Sequence, residues 1–360
     1  MESIKVGCSD LQEVRKAVAD STKNFINPKL IIYFAPSRNF KEISEKFRDI
    51  FPNTLTVGCT SESQFSNKGF KENSIVTMAF EGDVITQASV MTEINKAPIR
   101  YLPKINETIN LLSNNRNNVA IGLMCGNNGI EEVLLSVLNS ALESKDIPLI
   151  GGSASGEATF VSMNGEIYNN AAVLVVVNSN KNITFYRENI YVPRGNRHVV
   201  TKADPITRKV YELDNRPILE VYAEELGIAK STVRTKLRDH PFGRVIGEEI
   251  LIASPIEING DSSITFLSRI YNNAYVKILE LGNTMQTLDE TIDSINKKID
   301  VNAAIVINCA FRTALYKERN LMNEFTQRLS RVGNFIGFTS YGEQINNSNT
   351  TQTMVMACFE

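Results

Sequence analysis

The hydrophobic pattern of the chain recurs three times. Leu30-Ile-Ile-Tyr-Phe34 is rich in branched and aromatic residues, as a buried strand is. Phe40, Ile43, Phe47 and Ile50 then fall on one stripe of a helix that Pro52 stops, and Asn39 with Glu42 has capping-box spacing at its start. The apolar run 119–124 is followed by a stripe of Ile130, Val133, Leu134, Val137, Leu138 and Ala141. The run 303–307 is followed by Met322, Phe325, Leu329 and Val332. A short apolar run closes each unit, so each predicts a strand–helix–strand crossover, right-handed and parallel. Further strand-like runs at 74–80, 171–177 and 351–359 make the sheets mixed. The expected fold is α/β, with two domains whose mixed sheets are built from repeated strand–helix–strand units.

Between the second and third units the pattern changes. It predicts a helix over 217–226 ending on Gly227, strands at 249–253, 264–267 and 275–281, and a helix carrying Met285, Leu288, Ile292, Ile295 and Ile299. Charge is dense over 227–241, and Pro241 and Gly243 interrupt it, so domains of 1–226 and 227–360 are expected.

One short segment recurs with the units. It reads Gly58-Cys-Thr-Ser-Glu-Ser-Gln64, Gly151-Gly-Ser-Ala-Ser-Gly-Glu157 and Gly337-Phe-Thr-Ser-Tyr-Gly-Glu343. Loops leaving the carboxyl ends of parallel strands face a crevice where ligands bind. Two loops per unit do so: this signature, and the first-strand loop at Arg38, at Cys125-Gly-Asn-Asn128, or at Cys309 with Arg312. Arg38 and Arg312 each stand three residues after Ala35 and Cys309, and a guanidinium offers a planar fork for a carboxylate. Gly58 and Gly152 let backbone approach a ligand, and Thr60, Ser153, Ser155 and Thr339 supply neutral donors and acceptors. Cys59 and Tyr341 lie on the same loops, and Glu157 and Glu343 are candidates for an ammonium or for a structural cap. A small polar ligand with a carboxylate, an amino acid among the options, suits this set. A purely structural turn is the alternative for every signature residue, and a surface or capping role is the alternative for both arginines.

Composition narrows the chemistry. The 360 residues carry a net charge of −2 and a pI of about 6.0, which implies no bulk attraction to nucleic acid or anionic membrane. The N-terminus has no basic-then-apolar signal, and no apolar run approaches the roughly 18 residues of a membrane span. Five cysteines at irregular spacings form neither a disulfide framework nor a zinc pattern, so a reduced cytoplasm is expected. Cys125 and Cys309 end equivalent strands near helix starts, where thiol pKa falls, but no base is apparent beside them and an enzyme is not expected. His198 and His240 are the two histidines, and either is a candidate axial haem ligand. No other cofactor is expected. Residues 223–237 resemble a helix-turn-helix, but Lys236 stands where an apolar residue belongs, and DNA binding is not expected.

Taken together the motifs resemble the FIST family, with its N-terminal and C-terminal FIST domains. The resemblance rests on Tyr33-Phe-Ala-Pro-Ser-Arg38, Val57-Gly-Cys-Thr60, Gly151-Gly-Ser-Ala-Ser-Gly156, Val200-Thr201 and Tyr211-Glu-Leu-Asp-Asn-Arg-Pro217. It continues in Asn308-Cys-Ala-Phe-Arg312, Gly337-Phe-Thr-Ser-Tyr-Gly-Glu343 and the strand at Thr353. It implies a sensory module for a small ligand, acting through a histidine kinase, a chemoreceptor or another signalling partner. Some members are haem-based nitric-oxide sensors, and a protein-binding scaffold is a further alternative. The family's C-terminal motif often carries a His-Asn pair before its last strand. Here that stretch reads Ile345-Asn-Asn-Ser-Asn-Thr-Thr351, without the imidazole. The resemblance also makes the 223–237 stretch a connecting helix pair.

Overall fold

A computed structural model describes the chain except for residues 1, 113–115, 127–128 and 247–248. It has two compact units: Met1–Glu188 with Leu288–Asn349 and Met354–Glu360, and Asn189–Thr287 with Thr350–Thr353.

In the first unit the chain runs β1 (Ser3–Asp10), α1 (Val14–Thr22), β2 (Pro28–Ala35), α2 (Phe40–Ile50), β3 (Leu55–Thr60), β4 (Gln64–Ser66), β5 (Gly69–Lys71) and β6 (Ser74–Glu81). The second repeat follows as β7 (Ile85–Thr92), α3 (Leu102–Asn110), β8 (Asn117–Met124), α4 (Glu131–Leu142), β9 (Leu149–Ser153), β10 (Val161–Met163), β11 (Glu166–Tyr168) and β12 (Ala171–Ser179), and β13 (Ile183–Asn189) leads out of the unit. The inserted unit holds β14 (Tyr191–Asp204), β15 (Lys209–Leu213), β16 (Arg216–Pro217), α5 (Ile218–Leu226), β17 (Phe242–Ile246), β18 (Glu249–Ala253), β19 (Pro255–Ile258), β20 (Ile264–Phe266) and β21 (Tyr275–Leu281). After α6 (Thr284–Asn296) the third repeat runs β22 (Ala303–Cys309), α7 (Ala310–Glu318), α8 (Met322–Leu329), β23 (Asn334–Ser340), β24 (Glu343–Ile345), β25 (Ser348–Thr350) and β26 (Thr353–Phe359).

The α/β expectation holds, and the two adjacent strands of each repeat are parallel: β2 with β3, β8 with β9, β22 with β23. The three six-stranded sheets share one strand order: β1-β6-β2-β3-β10-β11, β7-β12-β8-β9-β24-β25 and β13-β26-β22-β23-β4-β5. The last two strands of each sheet form a hairpin that belongs to another repeat. The first repeat gives β4–β5 to the third sheet, the second gives β10–β11 to the first, and the third gives β24–β25 to the second. The exchange is a closed cycle.

That cycle explains why the compact units divide the chain elsewhere than the expected 226/227 boundary. The third repeat completes its sheet with β4–β5, so it folds with the first two, and 189–287 is an insertion between them. The inner faces of all three sheets share one apolar core, with Phe34, Ile121, Ile150, Ile305 and Phe338 fully buried in it. Phe34 and Phe338 meet at 4.3 Å between ring centroids. Helices cover the outer faces: Val18, Ile43 and Phe47 pack on Ile31 and Ala79, and Leu134 and Leu138 on Ala120 and Leu174.

Three local expectations are corrected. Asn39 sits at φ 65° and its side chain makes no capping bond, so the Asn39–Glu42 capping box does not form. Arg312 is not on a loop, because α7 begins at Ala310. In the inserted unit α5 does end on Gly227 in the left-handed conformation, but Lys230–Thr235 is a 3-10 turn, so the lookalike has no second α-helix.

Candidate functional site

The signature segments meet in one hydrogen-bonded hub. Strand registers make Gly58, Gly151 and Gly337 equivalent, opposite Tyr33, Gly122 and Val306. The same registers align Thr60, Ser153 and Thr339, all fully buried. Each spends its hydroxyl on a neighbouring repeat. Thr60 Oγ1 donates to the Ala158 carbonyl at 3.1 Å, Ser153 Oγ accepts from Gln344 Nε2 at 3.1 Å, and Thr339 Oγ1 bonds Ser63 Oγ at 3.1 Å. Their amides repeat the pattern: Thr60 donates to Phe160 at 3.0 Å, Ser153 to Gly342 at 2.9 Å and Thr339 to Ser63 at 2.9 Å. Ser155 adds its amide to the Thr60 carbonyl at 3.0 Å, and its hydroxyl to the Thr339 carbonyl. The signature hydroxyls therefore close the cyclic exchange of hairpins.

The signature glycines serve packing. A Cβ on Gly58 would stand 2.6 Å from the Tyr33 ring, one on Gly337 2.2 Å from the Phe65 ring, and one on Gly152 2.7 Å from Phe338 and Ile307. Cys59 is buried in the inner core, and burial pushes its thiol well above the usual range. Tyr341 is half-buried, and its amide donates to the Ser153 carbonyl at 3.1 Å. Glu343 is fully buried at the start of β24. Glu157, its expected counterpart, is exposed on a longer loop: Val161, the structural match of Glu343 and Gln64, comes eight positions after Ser153 instead of four. Asn127 and Asn128 of the expected Cys125–Asn128 loop lie outside the described residues.

The two arginines are not equivalent. Ala35 pairs with Thr60 and Asn308 with Thr339, so Arg312 corresponds to Asn39 and not to Arg38. Arg38 is exposed. Arg312, in the first turn of α7, is 1% exposed and forms an ion pair with Glu188 of β13, itself 2% exposed. Its guanidinium also lies over the Tyr316 ring at 5.2 Å and the Phe325 ring at 5.9 Å. Burial, the largest influence, opposes its charge, but Glu188 together with Tyr316 and Cys309 outweighs it and the pKa is raised. Among the described residues, Nε and Nη1 of Arg312, Oε2 of Glu188 and Oδ1 of Asn308 have no hydrogen-bond partner. Buried charged groups left with unmatched atoms are costly, and such atoms mark a place where a further polar group belongs. Sequence reasoning found Arg312 but not Glu188, which no motif marks.

Cys125 and Cys309 do occupy equivalent positions, and both are buried. Burial raises the Cys125 thiol, against the lowering expected near a helix start. In the inserted unit His198 is 7% exposed. Its Nδ1 lies 2.6 Å from Asp214 Oδ2 and its Nε2 3.2 Å from Glu225 Oε1. Both ring nitrogens thus face carboxylates, a donor set that does not fit an axial haem ligand. His240 Nδ1 lies 3.1 Å from the Leu279 carbonyl. Among the described residues no group of three or more His, Cys, Asp or Glu side chains is placed to hold a metal ion. No helix among them is long and apolar enough to cross a membrane.

The FIST N domain matches residues 29–216 and the FIST C domain residues 219–346. The chain belongs to the FIST family. FIST domains are signalling-associated sensor domains, and a sensing role follows at that level. The boundary between the two matches falls inside the inserted unit, so β22, β23 and β24 of the third repeat, which lie in the FIST C match, help complete the fold begun by the FIST N domain. No curated protein matches the chain. A solved structure described as a cyanuric acid hydrolase built by structural concatenation is 7% identical over 100% of both chains, with a TM-score of 0.37, too low to carry an argument.

Proposed function

We propose that this FIST protein senses a small zwitterion, an amino acid or a close relative, held at the Arg312–Glu188 pair. One observation carries the reading: a fully buried ion pair leaves two donor atoms of Arg312 and one acceptor atom of Glu188 without partners among the described residues. A carboxylate matches the spare donors, and an ammonium matches the spare oxygen. Arg38, exposed and not equivalent, is not part of this site. The signature loops hold the three sheets together around it, and their hydroxyls are already committed. The reading is of binding without catalysis. The bound state passes to a signalling partner by a population shift, for which a histidine kinase or chemoreceptor is the expected class. The cysteines, none of them in a disulfide, suit a reducing cytoplasm.

A thermal-shift panel of amino acids, small carboxylates and haemin tests this. A ligand at about 100 times its dissociation constant adds roughly 2.7 kcal/mol to native stability. A zwitterion that raises the melting temperature of the native chain, but not of Arg312→Met/Glu188→Leu, supports the reading. A panel blank for amino and carboxylic acids, or a shift that survives in the double variant, overturns it.

A further inference from the structure

Strand β1 ends its sheet. It pairs with β6 along its whole length, from Ser3 with Glu81 to Asp10 with Ser74. Among the described residues no backbone hydrogen bond is made along its other edge. Exposed strand edges of this length are templates for another strand unless something guards them. Here the end of the edge, Cys8–Asp10, lines a cleft of about 430 Å³, whose opposite wall is Ser66, Lys68 and Gly69 from the β4–β5 hairpin. A second cavity of about 210 Å³ prolongs it and shares Cys8, Asp20, Lys23, Ser66 and Lys68.

The charges over this cleft are unevenly matched. Lys71 is paired with Asp10. Lys16, Lys23 and Lys68 are exposed and make no ion pair among the described residues, while Glu13 and Asp20 are the cleft's other carboxylates. Three unpaired ammonium groups face two unpaired carboxylates, an excess of positive charge on a chain whose net charge is −2. Two of the hairpin exchanges add a strand at the opposite edge of their sheets, where β3 and β9 accept partners.

We propose that this cleft docks an extended acidic segment of a signalling partner, added as a strand to the free edge of β1. Its main chain would pair with β1, and alternate side chains would point at the lysines of α1 and of the β4–β5 turn. The proposal rests on the reading of the chain as a module that passes its state to a partner, but not on the identity of the ligand.

Cys8 provides the reporter. It is half-buried in the cleft while the other four cysteines are buried. The probe is an eight-residue peptide of alternating valine and glutamate, the length of β1, with a valine–lysine peptide as control. On the full chain, peptide at about ten times its dissociation constant leaves about a tenth of the clefts open, so maleimide labelling of Cys8 slows about tenfold. The expected result is slowing by the acidic peptide alone, lost in Lys16→Glu/Lys23→Glu/Lys68→Glu and kept in Arg312→Met/Glu188→Leu. No slowing, equal slowing by the lysine peptide, or slowing that survives the triple reversal overturns it. Retention in the double variant separates a failure here from a failure of the zwitterion site.

Discussion

The Ser61 hydroxyl stands 3.1 Å from the Thr339 carbonyl, across 278 residues of sequence, and shares its one proton between that oxygen and the Ser63 carbonyl at 2.6 Å. The Thr339 amide also donates to Ser61 Oγ at 3.1 Å, so one serine of the first repeat holds the main chain of the third. Ser155 of the second repeat reaches the same carbonyl. Three repeats thus meet at one peptide group, and the cyclic exchange of hairpins closes there.

This geometry predicts coupling. Ser61→Ala or Ser155→Ala alone leaves the Thr339 carbonyl one donor, and each is expected to cost about 1 kcal/mol. Together they leave a buried carbonyl with neither hydroxyl, and the pair should exceed the sum by about 1 kcal/mol. Urea titration of both single variants and the double variant measures this. Simple additivity would show that the hub is three separate contacts.

The glycines sort by what a methyl group would meet. Gly58→Ala and Gly337→Ala drive a Cβ into aromatic rings at 2.6 and 2.2 Å, and overpacking of this kind costs about 1–3 kcal/mol. Gly122→Ala meets only Leu149 Cδ1 at 3.5 Å. Its backbone lies in a strand at negative φ, so a gain of about 0.4–1 kcal/mol through the unfolded chain is expected. Melting curves that rank Gly122→Ala with the other two would contradict this assignment.

The Arg312–Glu188 pair predicts an asymmetry. Arg312→Met strands a buried carboxylate and should destabilise by about 3–5 kcal/mol, whereas Arg312→Met/Glu188→Leu should recover most of that loss. Denaturant midpoints of the single and double variants decide it. A double variant no more stable than the single would mean that the two charges do not act as a pair.

Much of the fold is legible in the sequence because the apolar periodicities survive repetition. The strand at 249–253, the helix stop at Gly227 and all three parallel pairs follow from pattern alone. What escapes is the destination of the short hairpins. Strands of three residues such as β4 and β10 are too brief to show a period, although Asn164-Gly165, at φ 51° and 87°, is a hairpin signal. Which sheet a hairpin joins is a long-range choice, and so the pattern does not announce that the third repeat shares a unit with the first. The signature itself is conspicuous because three repeats need the same close approach and the same hydroxyl bridge. Its residues draw the eye toward binding, while the charged pair that lacks partners sits outside it. Arg312 and Glu188 lie 124 residues apart, and nothing local announces that Glu188, in a half-buried strand, turns inward.

Buried acids set the response to alkali. Burial raises the Tyr33 hydroxyl to about 12 from the usual 10.0, although its bond to Ser162 Oγ works the other way. Burial likewise raises the Cys358 thiol to about 12 from the usual 9.0. Both groups are protonated in the folded chain, and the unfolded chain releases their protons at lower pH. Their stabilising contribution is therefore fully present below pH 9 and is lost as pH rises toward 12, on the order of 3 kcal/mol for Tyr33 alone. The chain has no tryptophan, so circular dichroism in guanidinium at a series of pH values is the measurement. The unfolding midpoint should hold up to pH 9 and then fall; Cys358→Ala should reduce the part of the fall that begins near 9, to which the buried Cys59 and Cys125 thiols also contribute, while leaving the part that begins near 10. A variant whose midpoint declines as steeply as the native chain's over both intervals would show that the Cys358 thiol does not contribute to the first step.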